Sequence, residues 1–338
     1  MTRDRFQSRV PSLRSGPTSP LLLLRRVTWL ALAALACAGC DSDLPEYSQL
    51  EGFRVLALRA SPPTLSGGES TTLDALTFVE GEPDPSFRYH WSWCPARLPS
   101  AGGGDCALDE AEFARLLGLG EDEIHFELGD GATAELSYPG PPEAYRAACE
   151  NSAGVGAQGA FVFSCKGGFP VSIRADITYR EQTIRIQKEV RLRFGDLPAN
   201  ENPAFGAMSI LEANSTAAAM PWPEDPAIRL ALGQRYAVQV EVNESSAERF
   251  VPEATVVDPS PKERRESLYI SWFVNSGSTD QDRTSFIADG VSLAEFGRNE
   301  WLLPKAGDEE RNEARMFLVL RDERGGVSWL SRRVELAR

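Results

Sequence analysis

Alternation of apolar and polar residues with a period of two is what most limits the folds open to this chain. Val171, Ile173, Ala175, Ile177 and Tyr179 alternate with mostly polar residues. After a turn expected at Glu181-Gln182, the series resumes with Ile184, Ile186, Val190, Leu192 and Phe194. Successive side chains on a strand point to opposite faces, so the pair reads as a hairpin with one buried face. Tyr236, Val238, Val240 and Val242 give another strand. Residues 316–336, "MFLVLRDERGGVSWLSRRVEL", read as a second hairpin, with Gly325-Gly326 able to supply the positive φ of its turn. Many short strands without alternating long helices predict an all-β chain of sandwich type. Two short helices interrupt the pattern. Asp109 can cap "EAEFARLLG" (110–118), with Phe113, Leu116 and Leu117 on one face and Gly118 as the stop. "PPEAYRAACE" (141–150) opens on prolines and gathers Tyr145, Ala148 and Cys149.

The strand pattern occurs twice. "YHWSWC" (89–94) and "YISWFV" (269–274) each carry a tryptophan, and each half ends in a hairpin. Aligning Ser92-Trp93 with Ser271-Trp272 puts opening strand, Trp strand and terminal hairpin in the same order. This arrangement resembles tandem immunoglobulin-like domains, in which a central Trp packs between two sheets. The resemblance implies two β-sandwiches, 53–195 and 206–338, with short helical insertions in the first. Between them "DLPANENPAF" (196–205) has the proline and polar content of a linker. Its "NENPAF" is similar to the calcium-binding linker of cadherin repeats. The upstream partner motifs of that family are missing, so no metal is expected there.

The N-terminus reads as an address. Residues 1–39 hold six arginines and one acid, Asp4, followed from position 27 by the apolar run "VTWLALAALACA". Twelve apolar residues are too few to span a bilayer, which takes about 20. A basic segment, a short apolar core and small residues make a secretory signal peptide, 1–39. The break "ACAGC-DSD" resembles the lipobox of bacterial lipoproteins, although Cys37 stands where leucine is usual. The resemblance implies that Cys40 becomes the first mature residue and carries lipid. Several acyl chains hold a protein stably on a membrane. Residues 40–52 would then form a tether, whose twelve residues after Cys40 reach at most about 40 Å. The expected location is the bacterial cell envelope, facing periplasm or cell surface.

With Cys37 in the signal and Cys40 lipidated, Cys94, Cys106, Cys149 and Cys165 remain. An even number in an exported chain implies two disulfides, and four cysteines allow three connectivities. The local pairing, Cys94–Cys106 and Cys149–Cys165, is expected because each closes a glycine-containing segment. A tetracysteine zinc site is disfavoured, since no Cys-x-x-Cys knuckle is present.

Little else carries chemistry. The net charge is -14, and removing the +5 of residues 1–39 leaves -19. Such acidity excludes a nucleic-acid role, which needs a basic face. His90 and His125, the two histidines, should both point outward on different strands and give no base for a nucleophile. "GVGAQG" (154–159) spells G-x-G-x-x-G but lies between a helix-like and a strand-like segment, the reverse of a dinucleotide site. Neighbouring acids such as Glu82 and Asp84, Asp280 and Asp282, or Asp308-Glu309-Glu310 read as solvated loops. No cofactor is expected. The reading is a non-enzymatic, lipid-anchored envelope protein that serves as a binding or scaffold module for a protein partner. Two alternatives are a carbohydrate-binding module using exposed Trp222, Trp301 or Trp329, and a hydrolase using paired carboxylates.

Overall fold

The computed structural model describes residues 47–95, 105–152, 165, 167–213, 215–252, 260–287 and 290–338. Cys40, the signal segment and the 154–159 glycine motif lie outside them. The described chain is mostly β, and Tyr47–Arg338 forms one compact unit.

Its first half contains β1 (Phe53–Ser61), β2 (Thr64–Leu65), β3 (Ser70–Val79), β4 (Arg88–Cys94), β5 (Glu127–Gly129), β6 (Ala134–Ser137), β7 (Phe169–Tyr179) and β8 (Gln182–Leu192). They form a three-stranded sheet, β1-β3-β6, and a five-stranded sheet, β2-β8-β7-β4-β5. The second half begins with β9 (Phe205–Glu212), β10 (Met220–Pro221), β11 (Ile228–Ala231), β12 (Arg235–Val242), β13 (Arg249–Phe250) and β14 (Arg264–Arg265). It continues with β15 (Leu268–Val274), β16 (Ser278–Thr279), β17 (Arg283–Phe286), β18 (Arg298–Leu302), β19 (Glu313–Asp322) and β20 (Val327–Ala337). Two five-stranded sheets result, β10-β9-β12-β18-β16 and β11-β20-β19-β15-β17, with β13-β14 as a separate ribbon.

Strand order repeats between the halves. The first strand of each pairs antiparallel with the strand after the switch, β1 with β3 and β9 with β12. A short strand then crosses to the other sheet and pairs in parallel with the last strand, β2 with β8 and β11 with β20. A cis proline precedes each crossing strand, at Ser61-Pro62 and Asp225-Pro226. The Trp strands β4 and β15 lie beside β7 and β19. Trp91, Trp93 and Trp272 are buried, and their indole N–H groups donate to Gly131 O, His125 O and Thr284 Oγ1.

Three apolar clusters hold these sheets. One lies between the two sheets of the first half, and a second between the two large sheets of the second half. The third joins the halves. Leu56, Ala57 and Phe78 of β1 and β3 meet Phe273, Phe317, Val319 and Val327 of β15, β19 and β20. Phe78 and Phe317 stand edge to face at 5.7 Å. A β-bulge between Val55 and Ala57 shifts the register, so that Leu56 and Ala57 both join this third cluster while Phe53 and Leu58 stay in the first. The β1-β3-β6 sheet therefore contributes to two clusters, one on each side, and so does the β15-β19-β20 sheet. Each fully buried apolar side chain contributes on the order of 1.5–3 kcal/mol.

Local details follow the sequence with four differences. Helix α1 (Glu110–Leu117) has the Asp109–Glu112 capping box and a left-handed Gly118, but Leu116 is exposed while Phe113, Ala114 and Leu117 are buried. Helix α2 (Pro142–Ser152) buries Tyr145 and Ala148 against the first core. The β7–β8 turn is Arg180-Glu181 rather than Glu181-Gln182, because Tyr179 pairs with Gln182 and Arg180 takes the left-handed φ of 54°. Of the segment expected as a tether, residues 48–50 belong to the folded body. Ser48 and Leu50 are buried, and the segment pairs with the end of β15 through Leu50 N to Val274 O (2.8 Å) and Val274 N to Ser48 O (2.9 Å). Lastly, within the expected linker Asn200 is 2% exposed.

Candidate functional site

Two places gather polar groups from separate parts of the chain. The first is the joint between the halves. Asn202 ties both sides, donating from Nδ2 to Ala60 O (2.8 Å) and accepting from Val327 N at 2.8 Å. Asn200 donates to Asp322 Oδ2 at 3.1 Å, and its backbone N–H donates to Thr64 Oγ1 at 3.0 Å. Lys188 of β8 reaches across to the Gly325 carbonyl. Arg321 donates to Leu56 O at 2.8 Å. The turn is packed tightly, since a Cβ on Gly326 would lie 2.0 Å from Asp322 Oδ2. Burial pulls the Lys188 ammonium down to about 8, and burial raises the Asp322 carboxyl despite its hydrogen bonds.

Asn200 and Asn202 lie in the segment expected as a linker and Gly325-Gly326 in the expected hairpin turn, but the meeting of these segments was not expected, although a signal existed. Lys188 sits on the buried face of β8 and interrupts the series Ile184, Ile186, Val190, Leu192. A charge at a core position has to find a partner, and here the partner is the other half.

The second place is an open cleft of about 500 Å³ beside the N-terminal segment. Gln49 and Glu80 line one side, and Gly277, Leu302, Glu309 and Arg311 line the other. Gln49 Nε2 donates to Gly277 O at 2.9 Å. Ser276 Oγ donates to Glu309 Oε2 at 2.5 Å, and Arg311 pairs with Glu80 across the halves. The volume falls within the range of small-ligand sites, but such sites are mostly apolar, and here Gln49, Glu80, Glu309 and Arg311 share the lining about evenly with aliphatic residues such as Leu50, Val274 and Leu302. Ser276 has a carboxylate rather than an imidazole for a neighbour.

The expected site residues are distributed as follows. Disulfides link Cys94 to Cys106 and Cys149 to Cys165, the local pairing. Disulfides persist in oxidising compartments. His90 lies on the outward face between Asp130 (2.9 Å) and Glu127 (3.2 Å), and His125 is exposed near Glu110. Neither approaches a nucleophile in any hydrogen bond among the described residues. Glu82 is paired with Arg180, whereas Asp84, Asp280 and Asp282 are exposed. Glu309 departs from the solvated-loop expectation: it is buried, held by Ser276 Oγ and by Arg311 N at 2.9 Å. Trp222 and Trp301 stack at 5.9 Å inside the second core, so they offer no surface platform for a sugar. Trp329 packs at the joint, with the Arg59 guanidinium 4.1 Å above its ring. Among the described residues no group of acids, histidines and cysteines is placed to hold a metal, and no helix is long and apolar enough to cross a membrane.

No protein-family model matches the chain, and no curated protein matches it. Among solved structures, murine CEACAM1b is 7% identical, with 83% of this chain and 100% of that chain covered and a TM-score of 0.19. The native conformation of E. coli alpha-2-macroglobulin is 9% identical over 84% of this chain, which spans 17% of that chain, with a TM-score of 0.21. A Dscam structure is 9% identical, covering 85% of this chain and 78% of that chain, with a TM-score of 0.22. TM-scores this low do not place the chain in a fold family.

Proposed function

We propose that the protein is a non-enzymatic binding or scaffold module of a bacterial cell envelope, held on a membrane by lipid on Cys40. Its folded part is read as two immunoglobulin-like β-sandwiches, 53–195 and 206–338, joined through 196–205. The repeated strand order supports this reading, because both halves switch a short strand between sheets and pair it in parallel with the last strand. Two disulfides fit an exported chain.

The observation that carries the functional reading is the third apolar cluster. It packs the halves face to face, where flexibly linked domains would share little apolar surface. A body fixed in this way keeps its loops and its cleft in constant positions, as a scaffold requires. The cleft also sits at the end of the body that the chain enters from Cys40. Six residues lie between Cys40 and Tyr47, and the seven steps span at most about 25 Å, so the cleft would lie near the bilayer. The partner is read as a protein of the same envelope, met through the cleft and exposed loops. The acidity of the mature chain speaks against nucleic acid.

Cys40→Ser is the direct test. The variant should move from the membrane fraction to the soluble fraction with its disulfides intact. Unchanged membrane association would sink the lipid-anchor reading.

A further inference from the structure

Three elements converge on one largely buried guanidinium where the halves meet. Arg324 lies in the turn between β19 and β20, and its Nη1 donates to Ala199 O of the connecting segment at 3.1 Å. Its Nε donates to Glu266 Oε1 at 2.9 Å, and its Nη2 also reaches Glu248. The Glu266 side chain is 1% exposed and that of Arg324 17%. Two carboxylates therefore share one cation in a place with little water.

The neighbouring charges do not cancel the surplus. Asp322, at the end of β19, is 4% exposed and takes its hydrogen bonds from neutral donors: Asn200 Nδ2 and the N–H groups of Arg324 (2.9 Å) and Gly326 (2.6 Å). Lys188 is the facing cation of the first half, and it is bonded to a carbonyl rather than to a carboxylate. Glu189 and Arg321 add one charge of each sign beside it. On the second half's side Arg264 is taken by Glu323 at 2.7 Å, and Arg265 is held near Glu244. Glu201 turns only its backbone N–H to Glu248, at 3.3 Å. Three carboxylates, Glu248, Glu266 and Asp322, thus meet two cations, Arg324 and Lys188.

We infer that the cluster beside the joint is a proton-operated lock, in which Glu266 takes up a proton as the pH falls through neutrality and makes the folded protein harder to unfold once it has. Burial pushes the Glu266 carboxyl up to about 7, overcoming the pull of Arg324. A carboxyl raised in the folded state binds a proton that the unfolded chain lacks between its ordinary value and the raised one. Stability is therefore gained as the pH falls through that window and lost as it rises. Lys188, lowered to about 8, titrates above the window and acts in the opposite sense, adding stability as the pH rises past its folded value.

The test is denaturant unfolding of the mature protein across this range, for wild type and Glu266→Gln. The glutamine keeps the shape of the side chain and removes one carboxylate. The wild-type unfolding constant should fall about tenfold between about pH 7.5 and about pH 5.5, and the variant should lose most of that dependence. The difference between the two slopes separates Glu266 from every other titratable group, since both proteins share them. Should Glu266→Gln not fold, Glu248→Gln removes the second carboxylate on Arg324 and should make the profile shallower, because the Glu248 charge helps to push the Glu266 carboxyl up. A flat or rising wild-type unfolding constant on acidification, or a variant that keeps the full slope, overturns the inference.

Discussion

The β4-β7-β8 face of the first half and the β15-β19-β20 face of the second do the same job within their halves, but only one of them has water on its outer side. β7 alternates strictly between buried and half-buried residues, and its outer positions carry Arg174 and Asp176. Asp176 also accepts from Arg185 of β8 at 2.8 Å, and these arginines hold its carboxyl below the usual range against the effect of burial. β19 instead buries Met316, Phe317, Leu318, Val319 and Leu320 in an unbroken run. Alternate members of that run enter the second core and the joint. The difference shows how one strand order can serve two positions in a stack. A sheet with one wet face needs alternation, and a sheet covered on both faces needs a continuous apolar run.

The halves also differ in how their loops are secured. Both disulfides and the two longer helices lie in the first half. There Phe113 of α1 and Tyr145 of α2 pack on Trp93 and Phe169. The second half has no cysteine, and its β15, β19 and β20 all supply side chains to the joint.

Substitutions can break or sharpen this contrast. The largest effect is expected for Phe317→Ala, which empties a site buried between the halves and should lower stability by about 3–5 kcal/mol in denaturant melts. Replacing Cys149 and Cys165 together by Ser should remove about 2–4 kcal/mol. Because the halves share one joint, that loss should speed amide exchange in β7 and β19 alike. The smallest effect is expected for Arg185→Ala on the wet face of β8, below about 1 kcal/mol. Similar losses for Phe317→Ala and Arg185→Ala would remove the distinction between a covered and a wet outer face.

Much of the fold was legible in the sequence because period-two alternation is a direct imprint of one-sided burial. Tyr236, Val238, Val240 and Val242 were expected on one face and are buried together. The cap at Asp109 was equally readable, since a capping box is local chemistry. The packing of the halves was not read, although "MFLVL" and "YISWFV" carried it, because a continuous apolar run does not say what covers its second face. The joint was hidden for a different reason. Asn200, Glu266 and the Asp322–Arg324 turn are far apart in sequence, and no one of them alone shows that it meets the others. Lys188, out of step with its strand, marked the place. Leu116 was misplaced because a helix of eight residues has room for a narrow apolar stripe, and Phe113, Ala114 and Leu117 fill it. The lipid anchor rests on the residues around Cys40 alone.

The most direct test of the shared joint is the cooperativity of unfolding. Denaturant melts of the protein, followed together by tryptophan emission and by circular dichroism, should give one coincident transition, with protected amides in β7 and β19 exposed in the same event. Two separated transitions, one for each half, would contradict the account.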